Sequence, residues 1–232
     1  IITSLKVETK QDVMKAPTAD TEAYEYYLRA NYIYDKRENL KDTEVARGLY
    51  KKAIELDDNL ILAKTLLGWT FYCTGDYDKA MKLYTSALKQ SEEFDDKSAM
   101  IIAIRKMGNI YGIRGDHKKA FDCNIRSLKI CEEIGDKRGM GRALSNIGNH
   151  YRDLGDYDKS IDYFNRSLYI NEEIADEFGI AVVLGNIGAY YLNIGENIKA
   201  LEYSTRCLTI HKGMDDKKGM TFPLRYIGIV HF

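Results

Sequence analysis

The chain has 232 residues, of which 45% are hydrophobic and 30% charged, and its formal net charge is −1. This balance excludes a nucleic-acid binder that works by phosphate neutralisation and a polybasic membrane module, and the hydrophobic fraction is that of a folded protein. The 18 glycines and 2 prolines exclude collagen and disordered linkers, because both combine many glycines with many prolines. Glycine must therefore have a regular structural role.

The beginning of the chain carries no targeting signal. It lacks a basic region followed by a long apolar core, and no stretch reaches the ~20 apolar residues that cross a bilayer. Four cysteines without a Cys-x-x-Cys pair are typical of reduced thiols, so we expect a cytoplasmic protein. Because the sequence lacks an initiator methionine and ends inside an apolar pattern, we expect a fragment, with residues 1–18 as a helix or linker leading in from an upstream domain.

Glycine recurs with a step of 40 residues, which indicates an internal repeat. Three series keep this step: Gly68, Gly108, Gly148, Gly188 and Gly228; Gly75, Gly115, Gly155 and Gly195; Gly139, Gly179 and Gly219. Aspartate keeps the same register at Asp96, Asp136, Asp176 and Asp216. The predicted repeats are 19–58 (atypical), 59–96, 97–136, 137–176 and 177–216, followed by 217–232 as the first helix of a truncated sixth repeat.

Each repeat has the apolar spacing of two amphipathic helices. In the fourth repeat, Leu144, Ile147 and Gly148 share one face of the first helix, and Phe164 and Leu168 share one face of the second. A glycine in the middle of a helix costs about 1 kcal/mol, so we expect the partner helix to pack too closely at Gly148 for a side chain. The pattern predicts an all-α fold, an α-solenoid in which antiparallel helix pairs form a right-handed superhelix.

The turns between helices have their own pattern. Gly155 follows the first helix of the fourth repeat, where glycine accepts a left-handed conformation, and Asp156 is placed to cap the second helix. The column that contains Asp136 and Asp176 is placed to cap the first helices in the same way.

These residues resemble the tetratricopeptide repeat. The resemblance rests on Leu67-Gly68-x-x-Phe71, followed by Gly75, Ala80, Tyr84 and Ala87, and it extends over about residues 20–232. The usual period of that repeat is about 34 residues. The longer step here is similar to the long-helix variety found in spindle-orientation scaffolds, kinesin light chains and bacterial peptide-sensing regulators.

The first repeat resembles that of certain bacterial multidomain proteins. The residues that carry this resemblance are Pro17-Thr18, Ala23-Tyr24-Glu25-Tyr26-Tyr27-Leu28-Arg29-Ala30 and Lys36-Arg37. In those proteins the solenoid follows a class III nucleotide cyclase or a DNA-binding domain, so the resemblance implies that Ile1 to Val7 end an upstream helix. The tyrosines of this repeat are expected to pack on the upstream domain and the second helix, with stacking on a ligand as the alternative.

The sequence contains no phosphate-binding loop, no HExxH zinc motif and no catalytic arrangement of serine, cysteine and histidine. The pairs Asp95-Asp96 and Asp215-Asp216 lie at turns, where helix capping explains them better than a metal. We therefore expect no enzymatic activity, metal or cofactor in this fragment, although the parent protein could carry a catalytic domain.

Solenoids bind partners along an extended concave surface, which the first helix of each pair lines in tetratricopeptide arrays. Removing the buried face leaves the candidate partner-binding residues: Arg105, Asn109, Arg142, Asn146, Asn149, Arg152, Asn186, Asn193, Trp69 and Tyr72. Asparagine amides both donate and accept, which suits the backbone of an extended peptide. The arginines suit an acidic segment or a C-terminal carboxylate.

Two of these assignments have a structural alternative. The asparagines could cap or bond a neighbouring helix turn, and the arginines could belong to a solvated face with salt bridges. Trp69 and Tyr72 lie one turn apart on the groove side, where they could form an apolar anchor pocket.

Three functional hypotheses remain. The first is a non-catalytic scaffold that holds an extended peptide or partner segment; the second is the regulatory part of a larger signalling protein, in contact with its own upstream domain; the third is a small-molecule sensor. Separately, if truncation leaves Leu224, Ile227 and Gly228 without their second helix, an apolar face is exposed there, and we predict end-to-end self-association.

Overall fold

A computed structural model describes residues 18–230, and within this range the chain forms eleven helices and no strand. The helices are α1 (Thr21–Lys36), α2 (Leu40–Leu56), α3 (Ile61–Cys73), α4 (Tyr77–Glu93), α5 (Lys97–Ile113), α6 (His117–Ile134), α7 (Lys137–Asp153), α8 (Tyr157–Glu173), α9 (Glu177–Asn193), α10 (Asn197–Gly213) and α11 (Thr221–Val230). The prediction of an all-α helical solenoid is confirmed. The expectation for Ile1 to Val7 lies outside the described residues, as does all of the predicted lead-in except Thr18.

The helices belong to two compact units that divide after Gln90. In the first unit, α2 packs against both α1 and α3. In the second unit, successive helices from α5 to α11 pack side by side, and α9 also contacts α7 and α11. First helices of neighbouring pairs therefore touch one another in the second unit. No helix among the residues described is long and apolar enough to span a membrane.

The glycine column in the first helices allows the second helix to approach closely. A Cβ atom built on Gly148 would lie 2.7 Å from two ring carbons of Phe164, a fully buried side chain of α8. In the first unit, Gly68 of α3 has the same relation to the Tyr84 ring of α4, also at 2.7 Å. The predicted reason for glycine at these positions is confirmed, since a methyl group would displace an aromatic ring.

Aspartates cap the first helices as predicted. Asp136 accepts a hydrogen bond from the backbone N–H of Gly139 at 2.9 Å, and Asp176 accepts one from Gly179 at 3.2 Å. Each carboxylate satisfies one of the backbone donors that the first helical turn leaves without a partner. Asp96 and Asp216 have the equivalent bonds.

Gly139 and Gly179, three positions after the capping aspartates, leave room for the preceding helix. A Cβ on Gly139 would lie 2.5 Å from Cys131 Sγ, and one on Gly179 would overlap the buried amide of Asn171. These contacts bring the last turn of α8 under the first turn of α9.

The turns between repeats place one residue in the left-handed region. At the turn before α7 this residue is Gly135, with φ of 70°, whereas Ala175 has φ of 51° at the turn before α9. An L-amino acid with a Cβ atom is strained in this region, and glycine is not. The α8–α9 turn therefore holds strain that the α6–α7 turn avoids.

Replacing Ala175 by glycine is expected to raise the free energy of unfolding by about 1 kcal/mol, because it removes this strain. Urea denaturation followed by circular dichroism measures the change. Gly135→Ala is the matched reverse substitution and should lower the stability by a similar amount. A loss of stability in Ala175→Gly would contradict this explanation of the turn.

Candidate peptide-binding groove

A pocket of ≈ 490 Å³, here called the central pocket, lies between α7 and α9 in the second unit. Its walls contain six of the ten candidate residues: Arg105, Asn109, Arg142, Asn146, Asn149 and Asn186. These side chains come from α5, α7 and α9, the first helices of three successive predicted repeats. The sequence pattern therefore identified residues that meet around one cavity.

Two smaller pockets continue the central pocket on either side. The upstream pocket, of ≈ 170 Å³ between α5 and α7, shares Arg105, Arg142 and Asn146 with the central pocket. The downstream pocket, of ≈ 390 Å³ between α9 and α11, shares Phe178, Val182 and Asn186 with it. The three pockets therefore form one trough across four first helices, and we call this trough the groove.

The asparagines of the groove differ in their hydrogen bonds. Asn146 Nδ2 donates to Asn124 Oδ1 at 3.3 Å, and Asn186 Nδ2 donates to Ser145 Oγ at 3.0 Å. Both bonds agree with the alternative in which the asparagines bond a neighbouring helix. Asn149 differs, because its buried Oδ1 accepts no hydrogen bond from the described part of the chain.

The arginines of the groove also differ in their partners. Arg138, at the mouth of the upstream pocket, is held by Asp176, with Nε 2.9 Å from Oδ2. Arg142 is exposed and forms neither a hydrogen bond nor an ion pair within residues 18–230. A guanidinium without a protein partner is available to a carboxylate from outside.

The downstream pocket has an apolar wall and a small polar floor. Phe178, Val182 and Phe222 line it, and each of these side chains is roughly half exposed (52%, 40% and 48%). On the floor, His211 Nδ1 lies 3.1 Å from Asp216 Oδ2. The Gly219 amide that donates to Asp216 holds the pKa of that carboxyl below its usual value, and His211 adds to this effect.

Four candidate residues lie outside the three pockets. Arg152 forms an ion pair with Asp153 at 3.1 Å, and Asn193 is exposed at the last position of α9. Trp69 and Tyr72 lie in the first unit, where their rings stack with centroids 5.1 Å apart. The ion pair of Arg152 is of the kind that the salt-bridge alternative predicts, whereas the stacking of Trp69 on Tyr72 was not predicted from the sequence.

Sequence reasoning missed Phe178 and Asn171, which both line the central pocket. Phe178 lies in the first turn of α9, two residues after the Asp176 cap, whereas none of the predicted candidates lies in the first turn of a helix. The repeat could have indicated Phe178, because the equivalent residue 40 positions earlier is Arg138, which lines the upstream pocket. Asn171 lies on the second helix α8, whereas all the predicted candidates lie on first helices.

The last helix exposes apolar side chains. Leu224 and Ile229 of α11 are about half exposed, at 52% and 49%. Such a face favours association, and end-to-end self-association through α11 stays a prediction.

The sequence matches the tetratricopeptide repeat family over residues 98–168 and 139–213, and again over 63–98. The chain therefore belongs to the tetratricopeptide repeat family. Solenoids of this kind present extended binding surfaces and serve as protein-interaction scaffolds.

Solved structures agree on the fold. The chain is similar to aspartyl phosphate phosphatase F from Bacillus subtilis, with a TM-score of 0.77 and 18% identity over 90% of this chain and 55% of that protein. It is also similar to BtubC (BKLC) from P. vanneervenii, with a TM-score of 0.67 and 18% identity over 91% of this chain and 84% of that protein. A Rap protein complexed with competence and sporulation factor matches with a TM-score of 0.72 and 18% identity, over 90% of this chain and 62% of that protein. No curated protein matches the sequence, and the predicted link to nucleotide cyclases stays a prediction.

Proposed function

We propose that the second unit binds an extended peptide segment of a partner protein in the groove. One observation carries the proposal: six residues selected from sequence as peptide-binding line a single pocket of ≈ 490 Å³. That size is within the usual range of ligand pockets, about 300–1,000 Å³.

The amides of the groove support a peptide over other ligands. Asn146 and Asn186 use Nδ2 within the protein, and their Oδ1 atoms accept no hydrogen bond from the described residues. Each Oδ1 is thus available to a backbone N–H of an extended segment. The Asn149 amide, which forms no hydrogen bond within the same range, can turn to a peptide without breaking an internal bond.

A protein of similar fold supports the same proposal. The Rap protein cited above was solved in complex with competence and sporulation factor, so a solenoid of this architecture forms such a complex. The alternative, that the chain is the regulatory part of a larger signalling protein, is compatible with a peptide in the groove.

The double variant Asn146→Ala with Asn149→Ala is expected to weaken peptide binding about 30-fold, because two or three hydrogen bonds worth about 2 kcal/mol together are lost. Random dodecapeptides displayed on phage are first selected on the immobilised chain. The affinity of a selected, fluorescein-labelled peptide is then measured by anisotropy for both proteins. The thermal midpoint should barely move, because among residues 18–230 the double variant removes a single side-chain hydrogen bond, the one from Asn146 to Asn124.

Asn165→Ala is the matched control, since Asn165 is exposed on the second helix α8 and lines none of the three pockets. It should bind the selected peptide like the unmodified chain. An unchanged affinity in the double variant would overturn the assignment of the groove.

A further inference from the structure

We propose that the groove reads its peptide in a fixed register, with a carboxylate at Arg142 and a bulky apolar side chain in the downstream pocket. This inference rests on the proposed function, because it assumes that the groove holds an extended segment. It goes further by naming the chemistry at two positions of that segment and the distance between them.

The charge around Arg142 suits a single carboxylate. Three arginines line the upstream pocket, namely Arg105, Arg138 and Arg142. Asp136 belongs to the same lining, and Asp176 is paired with Arg138. Arg142 has neither a hydrogen bond nor an ion pair within residues 18–230, and its single positive charge matches one carboxylate.

The downstream pocket suits an apolar side chain. Phe178, Val182 and Phe222 leave apolar surface open to solvent there, and Ala181 and Pro223 complete the wall. Covering such a surface removes apolar area from water on both partners, which favours binding. The polar groups His211 and Asp216 lie against each other at the floor, with Nδ1 3.1 Å from Oδ2, so the apolar wall is the surface that a side chain meets.

The central pocket joins the two positions. It shares Arg142 with the upstream pocket and Phe178 with the downstream one, so a segment that touches both ends must pass the asparagines between them. Packed helices are about 8–10 Å apart, and the path runs from α7 to the space between α9 and α11. At about 3.3 Å per extended residue, the carboxylate and the apolar side chain are separated by about three to five residues.

The peptides selected on the unmodified chain test this register directly. We expect the enriched sequences to combine Asp or Glu with Leu, Ile, Phe or Met at a separation of about three to five residues. In anisotropy measurements, Glu→Gln or Leu→Ala in the selected peptide should each weaken binding about tenfold.

Two variants of the protein assign these effects to the two ends of the groove. Arg142→Ala should weaken binding of the acidic peptide about tenfold, and this variant should bind the acidic peptide and its Glu→Gln version with equal affinity. Val182→Asp should weaken binding of the selected peptide in the same way, and it should bind that peptide and its Leu→Ala version with equal affinity. The matched controls are Arg206→Ala and Ile198→Asp, which change exposed residues of α10 outside the pockets. Both controls should bind like the unmodified chain.

Different results would overturn the peptide register and the peptide-binding function. Enriched peptides without the acidic and apolar pair, bound in a way that still requires Asn146 and Asn149, would overturn the register alone. A phosphoserine version of the peptide that binds more tightly than the glutamate version would overturn the assignment of a carboxylate. The absence of any selected peptide would overturn both proposals.

Discussion

Replacing Phe164 by alanine is expected to lower the free energy of unfolding by about 4 kcal/mol, because the ring is fully buried and its removal leaves a cavity. The ring packs against Val183, Ile187 and Tyr190 of α9, so one side chain of α8 joins two predicted repeats. Urea denaturation at equilibrium measures the change.

Phe94→Ala is the matched control for this substitution. Phe94 is 57% exposed at the turn after α4, so the same chemical change should alter the stability by less than about 0.5 kcal/mol. Equal effects at Phe164 and Phe94 would contradict the packing described for α8 and α9.

Replacing Gly148 by alanine is expected to lower the free energy of unfolding by about 2 kcal/mol, although alanine is the better helix former. The reason is the Phe164 ring, since a new Cβ would lie 2.7 Å from it and the ring has buried neighbours. Thermal and urea denaturation both report the loss.

The control for Gly148→Ala is Gly48→Ala, in the middle of α2. Gly48 is exposed and a Cβ there would meet no atom within 4 Å, so this substitution should raise the stability by about 1 kcal/mol. Combining Gly148→Ala with Phe164→Ala should cost at least about 1 kcal/mol less than the sum of the two, because the cavity accepts the methyl group. A stability gain in Gly148→Ala would show that the helices do not need glycine there.

The sequence was sufficient to predict the helix pairs and the reason for their glycines. Gly148 recurs at a fixed step on an apolar helix face, and only a close partner explains a residue that weakens its own helix. Asp136 and Asp176 were predictable as caps, because a carboxylate immediately before a helix accepts from the first turn. These features are local, so the order of residues reveals them.

The sequence could not show which groove side chains are already occupied. Asn146 and Asn149 lie three residues apart on one helix and look equivalent, yet only Asn146 bonds to Asn124 on α6. Asn124 is distant from Asn146 in sequence. The 40-residue step shows which positions are equivalent between repeats, but it does not show what each side chain contacts. The left-handed conformation of Ala175 could not be predicted either, because alanine does not favour this conformation and the geometry of the turn imposes it.

The location of a bound peptide tests the central proposal most directly. Amide hydrogen exchange, measured by mass spectrometry with and without a selected dodecapeptide, reports which helices the peptide covers. We expect slower exchange in α7 and α9, with α8 and α10 little changed. Protection confined to α8 and α10 would contradict binding in the groove.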